Sequence, residues 1–183
     1  NYTIPPSYKS DTDMVLVVSD LHCGIEVNHY LNHFDSDILA DRFVTCLSKV
    51  IEIQNRHQSE NITVLISEVI SGLIHENLRC ENNENIIEQF LTVAQYLSDF
   101  LTELSKHFNN VEVLVMPGNH SRVTPKKESS LKGENIDNLL IPYLSAVLQN
   151  ISNIHFHKNN IDESIAMFSV RNNTIYAVHG DKD

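Results

Sequence analysis

The stretch Met14-Val15-Leu16-Val17-Val18-Ser19-Asp20-Leu21-His22 decides how the chain is read. An unbroken apolar run rich in β-branched residues suits a strand buried on both faces. The run stops abruptly in Ser-Asp-x-His. The same grammar recurs further on. Ile62 to Ile66 runs into Ser67-Glu68, Val111 to Met116 runs into Pro117-Gly118-Asn119-His120, and Thr174 to Val178 runs into His179-Gly180-Asp181. In open α/β sheets ligands bind outside the carboxyl ends of the strands. Strand ends that each offer Asp, His, Glu or Asn therefore define a candidate metal site, and mixed oxygen and nitrogen ligation favours Mn²⁺, Fe²⁺ or Zn²⁺ over Ca²⁺. Side chains two apart on an extended strand share a face, so Asp20 and His22 are expected to approach one ion from one side.

Helices fill the gaps. Ile38, Leu39, Phe43, Leu47, Val50 and Ile51 recur at helical spacing across 36–57, with Ser36 or Asp35 as the cap. Residues 84–107 form a longer amphipathic helix, and 134–149 a third. The pattern then changes to short strands at 154–157, 164–170 and 174–178, the last two expected as a hairpin across Arg171-Asn172-Asn173. Strand and helix alternate first, and strands follow one another later. That order argues for a mixed α/β sheet stack. Residues 1–13 read as a polar lead-in and 14–183 as one domain.

Composition narrows the function. With 13 Lys and Arg against 24 Asp and Glu, the formal net charge is -11. Such a chain cannot hold a polyanion by bulk attraction; it needs metal ions or a local basic patch. Ten histidines supply ligand capacity. Three cysteines, Cys23, Cys46 and Cys80, read as reduced thiols. No apolar run reaches the roughly 18 residues of a membrane span and there is no signal peptide, so a cytoplasmic protein without membrane contact is expected. The chain starts at Asn1 with a Pro-containing lead-in and stops at Asp183 just after an apolar run, which reads as a segment of a longer polypeptide.

Asp20-Leu21-His22, Glu68 with its flanks, Gly118-Asn119-His120 and His179-Gly180, in this order and each at a strand end, resemble the calcineurin-like metallophosphoesterase superfamily. The words around Cys23-Gly24, Ile70-Ser71-Gly72-Leu73-Ile74-His75 and Ala177 to Asp183 are similar to phage and prophage members described as DNA-repair-exonuclease-like. The resemblance implies a four-layer αββα sandwich of two mixed sheets flanked by helices. It implies two divalent metal ions, Mn²⁺ first, with Fe²⁺, Zn²⁺ or Mg²⁺ as alternatives. Asp20 and His22 would bind one ion, Asn119 and His179 the other, and Glu68 would bridge them. His120 would stand over the ions as the catalytic group that protonates the leaving oxygen or stabilises the transition state. The implied chemistry is attack of a metal-activated hydroxide on phosphorus.

The sequence departs from the family pattern in three places. Ser67-Glu68 stands where the family has Gly-Asp, which lengthens the bridging carboxylate and adds a hydroxyl. Ser121 follows Gly-Asn-His where many members carry an acid, so His120 is expected to lack an orienting partner. The family also ends with a Gly-His-x-His loop that supplies a ligand to each ion, and this sequence stops before one.

Other residues carry weaker signals. Arg122, Lys126 and Lys127, with Lys132, form a basic loop where a phosphate backbone would approach; a solvated loop, partly offset by Glu128 and Glu134, is the alternative. His75 reaches towards the site rim or caps a helix. His155 and His157 share one face of a strand and are expected to face solvent. Cys23 is expected to pack rather than ligate. The expected function is a metal-dependent phosphodiesterase or DNA nuclease. Phosphomonoesterase activity and a non-catalytic scaffold with a degraded site are the alternatives. An unfinished second sheet would leave an edge open to a second copy, giving a homodimer.

Overall fold

The computed structural model describes residues 6–180. Its centre is a parallel sheet of β1 (Met14–Val18), β4 (Asn61–Ser67), β5 (Asn110–Met116) and β6 (Ile154–Phe156), in that spatial order. The register sets Val18 beside Ile66, Ser67 beside Met116, and Val113 beside Phe156. The three apolar runs therefore stop at nearly the same level, and their polar continuations emerge together on one side.

Alternation along the strands divides the molecule into layers. Ile62, Val64, Ile66, Val111, Val113 and Val115 point to one face, where the main core contains Leu39 and Val50 of α1 (Ser36–His57) and Val93, Leu97 and Leu101 of α3 (Ile86–Leu104). Leu65, Leu114 and Met116 point to the other face and pack on Ala166 and Phe168 of β7 (Ile165–Val170) and Ala177 of β8 (Asn173–Val178). The expected hairpin is present, with Arg171 at its turn in the left-handed region (φ 54°). The molecule is thus a mixed α/β stack of helices, parallel sheet and antiparallel hairpin.

Local signals set the helix ends. The Asp35 carboxylate accepts from the Ile38 N–H (2.9 Å) to start α1. Asn85 and Glu88 form a reciprocal capping box at the start of α3. The expected third helix is shorter than its apolar pattern: a 3₁₀ turn over Ile136–Leu139 leads into α4 (Leu140–Val147). Two small elements have no clear sequence signal. They are the hairpin of β2 (Val27–His29) and β3 (Asn32–Phe34), and the single turn α2 (Glu76–Arg79). The far end of the sheet is tied by Arg171, which bonds Asp13 (2.7 Å) and Glu60 (2.9 Å). The end of the lead-in is docked there too, with the Tyr8 N–H on Asn109 (2.7 Å) and the Ser10 N–H on Glu60 (2.6 Å). Among the described residues no helix is long and apolar enough to cross a membrane.

Candidate metal centre

The loops after β1 and β4 keep bonding past the strands. Leu21 N–H donates to the Glu68 carbonyl, Cys23 N–H to that of Val69, and Ser71 N–H to that of Cys23, each at 3.0 Å. Asp20 and His22 do not lie on an extended strand as expected. β1 ends at Val18, and Asp20, His22 and Glu68 have φ of 58°, 46° and 50°. Three polar non-glycine residues in the left-handed region at one place is a concentration of backbone strain of the kind functional sites hold. Two glycines make the crossing close enough. A Cβ on Gly118 would lie 2.6 Å from the Glu68 Cβ, and one on Gly72 (φ +79°) would lie 2.0 Å from the His120 carbonyl oxygen.

Glu68 is the centre of the grouping. Its side chain is 3% exposed, and its oxygens face different imidazoles: Oε1 lies 3.3 Å from His120 Nε2, and Oε2 contacts His179 Nε2. The same His179 nitrogen lies 3.0 Å from Asn119 Oδ1. Its Nδ1 lies 3.1 Å from the Ser67 hydroxyl, which can donate or accept and so holds the ring in either tautomer. The extra side chain at Ser67 therefore has a partner. His22 joins from the β1 side: ligand atoms of His22, Glu68 and His120 all lie within 4.8 Å of one another.

His120 is oriented, though not by an acid. Its Nδ1 faces the Ser71 carbonyl oxygen at 3.2 Å, which can only accept, so that nitrogen carries a proton. Its ring meets His22 edge-on with centroids 4.5 Å apart, and lies 4.3 Å from the ring of His75. His75 thus reaches the site, the first of its two sequence readings.

Ser121 serves a residue that sequence reasoning missed. The fully buried Asp137 accepts from the Ser121 hydroxyl (2.6 Å), Gly118 N–H (2.9 Å) and Glu68 N–H (3.1 Å). One carboxylate therefore clamps the loops after β4 and β5. Burial pushes its carboxyl up, and these donors, with the Val69 N–H, oppose that. The available signal was an acid set among Ile136, Leu139 and Leu140.

Electrostatics suit a cation. Burial, then the His120 charge, holds His22 below the ordinary histidine value; burial and His120 do the same to His75. A neutral imidazole is the ligating form. His22 Nδ1 and His75 Nε2 are buried with no protein partner. The donor set of imidazoles, a buried carboxylate and an amide oxygen fits a divalent transition metal. Cys23 packs as expected: it is fully buried, and burial pushes its thiol up to about 12.

Other candidates sit further out. Asp20 is at the rim, 66% exposed, with Oδ1 3.9 Å from His22 Nε2 and Oδ2 accepting from Ser19 (2.6 Å). Arg122 Nε donates to the Asn119 carbonyl (3.0 Å), and with Lys127 it lines a cleft of about 390 Å³ beside the loop. Lys126 immediately precedes the exposed turn Lys127–Ser129 and its side chain makes no capping bond there. His155 is half-buried against Asn110 (3.3 Å), not solvent-facing, because its ring tucks beside the start of β5; His157 is exposed and contacts Glu112. Arg79 is exposed at the end of α2. Asp181 to Asp183, like Ile4 and Pro5 of the lead-in, lie outside the described residues.

Comparison with known proteins gives one distant relationship to report. The chain is 24% identical over 170 residues to the SPbeta prophage-derived uncharacterized protein YonJ of Bacillus subtilis (strain 168), covering 91% of this chain and 42% of that protein. It therefore spans about two-fifths of the length of the relative it matches. No family model matches the chain, and no solved structure matches it.

Proposed function

We propose that this chain is a metal-dependent phosphoesterase of calcineurin-like architecture, acting on phosphodiesters of nucleic acid. The observation that carries the reading is Glu68: a buried carboxylate that turns one oxygen to the His120 side and the other to His179. That is the disposition a bridging ligand needs. His22 and Asp20 would hold an ion on one side, and Asn119 and His179 on the other. The stack of helices, parallel sheet and hairpin supports the αββ part of the architecture. The prophage origin of the distant relative accords with the phage-like wording of the motifs.

When bound, the divalent ions, Mn²⁺ first among them, supply Lewis acidity and lower the pKa of water. The chain's own residues position the rest. The Ser71 carbonyl fixes His120 Nδ1 and leaves Nε2 directed at the Glu68 edge, where a ring that carries a second proton on Nε2 can pass it to a leaving oxygen. Asp137 holds the backbones of Glu68 and Gly118 in place. Arg122, next to Asn119, offers a cation to a second phosphate.

The test is bound Mn²⁺ by elemental analysis together with hydrolysis of bis(p-nitrophenyl) phosphate and p-nitrophenyl phosphate. His22→Ala is expected to lose metal. His120→Ala is expected to retain it and to lose rate by about 10²–10⁴-fold. Equal metal loss in both variants would remove the acid role of His120. A wild-type chain that binds Mn²⁺ and cleaves only the monoester would replace the diesterase reading.

A further inference from the structure

Next to the histidines is a cleft that phosphate chemistry alone does not explain. It has a volume of about 280 Å³ and opens onto His22 and His120. Its far wall is largely apolar, with Asn32 of β3 the polar exception: Ile25 and Val27 lead into and start the β2–β3 hairpin, Phe34 ends it, and Leu78 comes from α2. A phosphate, a sugar or a peptide backbone would leave that wall without a matching surface. The fourth side is Arg42 of α1, exposed, with its Cζ 4.9 Å from the centroid of the Phe34 ring. The aromatic face holds the guanidinium in place. Among the described residues Arg42 makes no ion pair, so neither its charge nor its outer face is spent on a carboxylate. The same hairpin carries Tyr30 and Leu31 at its tip, 86% and 76% exposed, which extends the apolar surface outward.

A planar, mostly apolar group covalently attached to a phosphate fits this combination. Guanidinium planes stack on unpaired bases, and apolar walls exclude water from them. A base inside a duplex is already stacked and cannot enter. We propose that the cleft between the β2–β3 hairpin, α2 and Arg42 is a base subsite, which takes one unpaired nucleobase adjacent to the scissile phosphate and stacks it on the Arg42 guanidinium. The proposal rests on the phosphoesterase reading and makes single-stranded nucleic acid its substrate class.

The test is calorimetric binding to the Mn²⁺-loaded chain of a phosphorothioate thymidine dinucleotide and of the same compound with one base removed. Stacking is worth about 1–3 kcal/mol per base, so the intact dinucleotide should bind about 5- to 150-fold more tightly. Arg42→Ala and Arg42→Lys should both reduce that ratio to below about twofold, because lysine restores charge but not a plane. Arg42 is exposed on the surface of its helix, so neither change removes a buried side chain. Equal wild-type affinity for the two compounds, or a full ratio retained in Arg42→Lys, would overturn the base subsite. A chain that binds Mn²⁺ but neither dinucleotide would overturn it too, and would leave the metal centre standing. A chain that binds no Mn²⁺ would overturn the phosphoesterase reading and the subsite together.

Discussion

Two histidine–carboxylate groupings lie on the same parallel sheet. Glu68 with His120 and His179 sits beyond its carboxyl ends, and Glu112 with His157 sits between β5 and the segment after β6. Both offer the same residue types at contact distance. The difference is enclosure. The Glu68 side chain is 3% exposed and meets side chains from several loops, whereas Glu112 is 31% exposed and its histidine 49%. Water screens the second pair, and an exposed pair contributes little to stability. In the first, low dielectric magnifies every charge and makes a cation valuable. Pairing alone does not define a site; convergence under burial does.

The sharpest way to break this comparison is to neutralise each acid in turn. Glu68→Gln should lower Mn²⁺ affinity by more than the roughly 10–100-fold that loss of a supporting partner costs. Glu112→Gln should leave bound Mn²⁺ unchanged and shift unfolding by less than about 1 kcal/mol. Similar metal loss in both variants would show that the enclosed grouping is not special.

A second effect concerns what encloses the first grouping. Asp137→Ala would leave the Ser121 hydroxyl and the Gly118 and Glu68 amides without their acceptor. At about 1–3 kcal/mol for each buried unsatisfied group, a loss of at least about 3 kcal/mol is expected in urea unfolding. Asp137→Asn keeps one acceptor oxygen and should lose less. An Asp137→Ala variant as stable as wild type would show that the clamp is not what holds the loops.

The smallest effect belongs to a third pair, at the start of α1. The Ile38 N–H, then the charge of His33 at 3.0 Å, holds Asp35 below the ordinary carboxylate value. A depressed carboxyl stabilises the fold above its unfolded value of about 3.9, and the contribution disappears as pH falls through the lower folded value. Asp35→Asn keeps a capping oxygen but cannot titrate. Wild-type urea midpoints should therefore exceed those of Asp35→Asn at pH 5, and the gap should narrow towards pH 3. A gap independent of pH would show that the cap does not use its charge.

Much of this was legible in the residues. The strands around Val64 and Val113 follow from unbroken apolar runs, and the ends of α1 and α3 from Asp35 and from Asn85 with Glu88. The polar strand ends pointed to Glu68, His120 and His179 as neighbours. The side-chain geometry was not legible in the same way. Asp20 and His22 look like same-face strand residues in one dimension, yet left-handed turns aim them. Ser121 looks like a missing acid, yet its partner Asp137 comes from a different segment. The β2–β3 hairpin left no periodic signal, because three-residue strands are too short to show one.

By itself, the sequence determined the order of elements, the faces they bury and the set of polar residues at the strand ends. Those depend on local periodicity, capping and turn chemistry, which act within a few residues. Only the tertiary structure decided that Ser67 and His179, 112 residues apart, share a hydrogen bond. It also decided that Asp137 clamps both neighbouring loops, and that Arg42 faces a cleft beside the histidines. Those depend on register and on how the layers pack, and no local pattern encodes a distance between segments that meet only when the sheet is assembled.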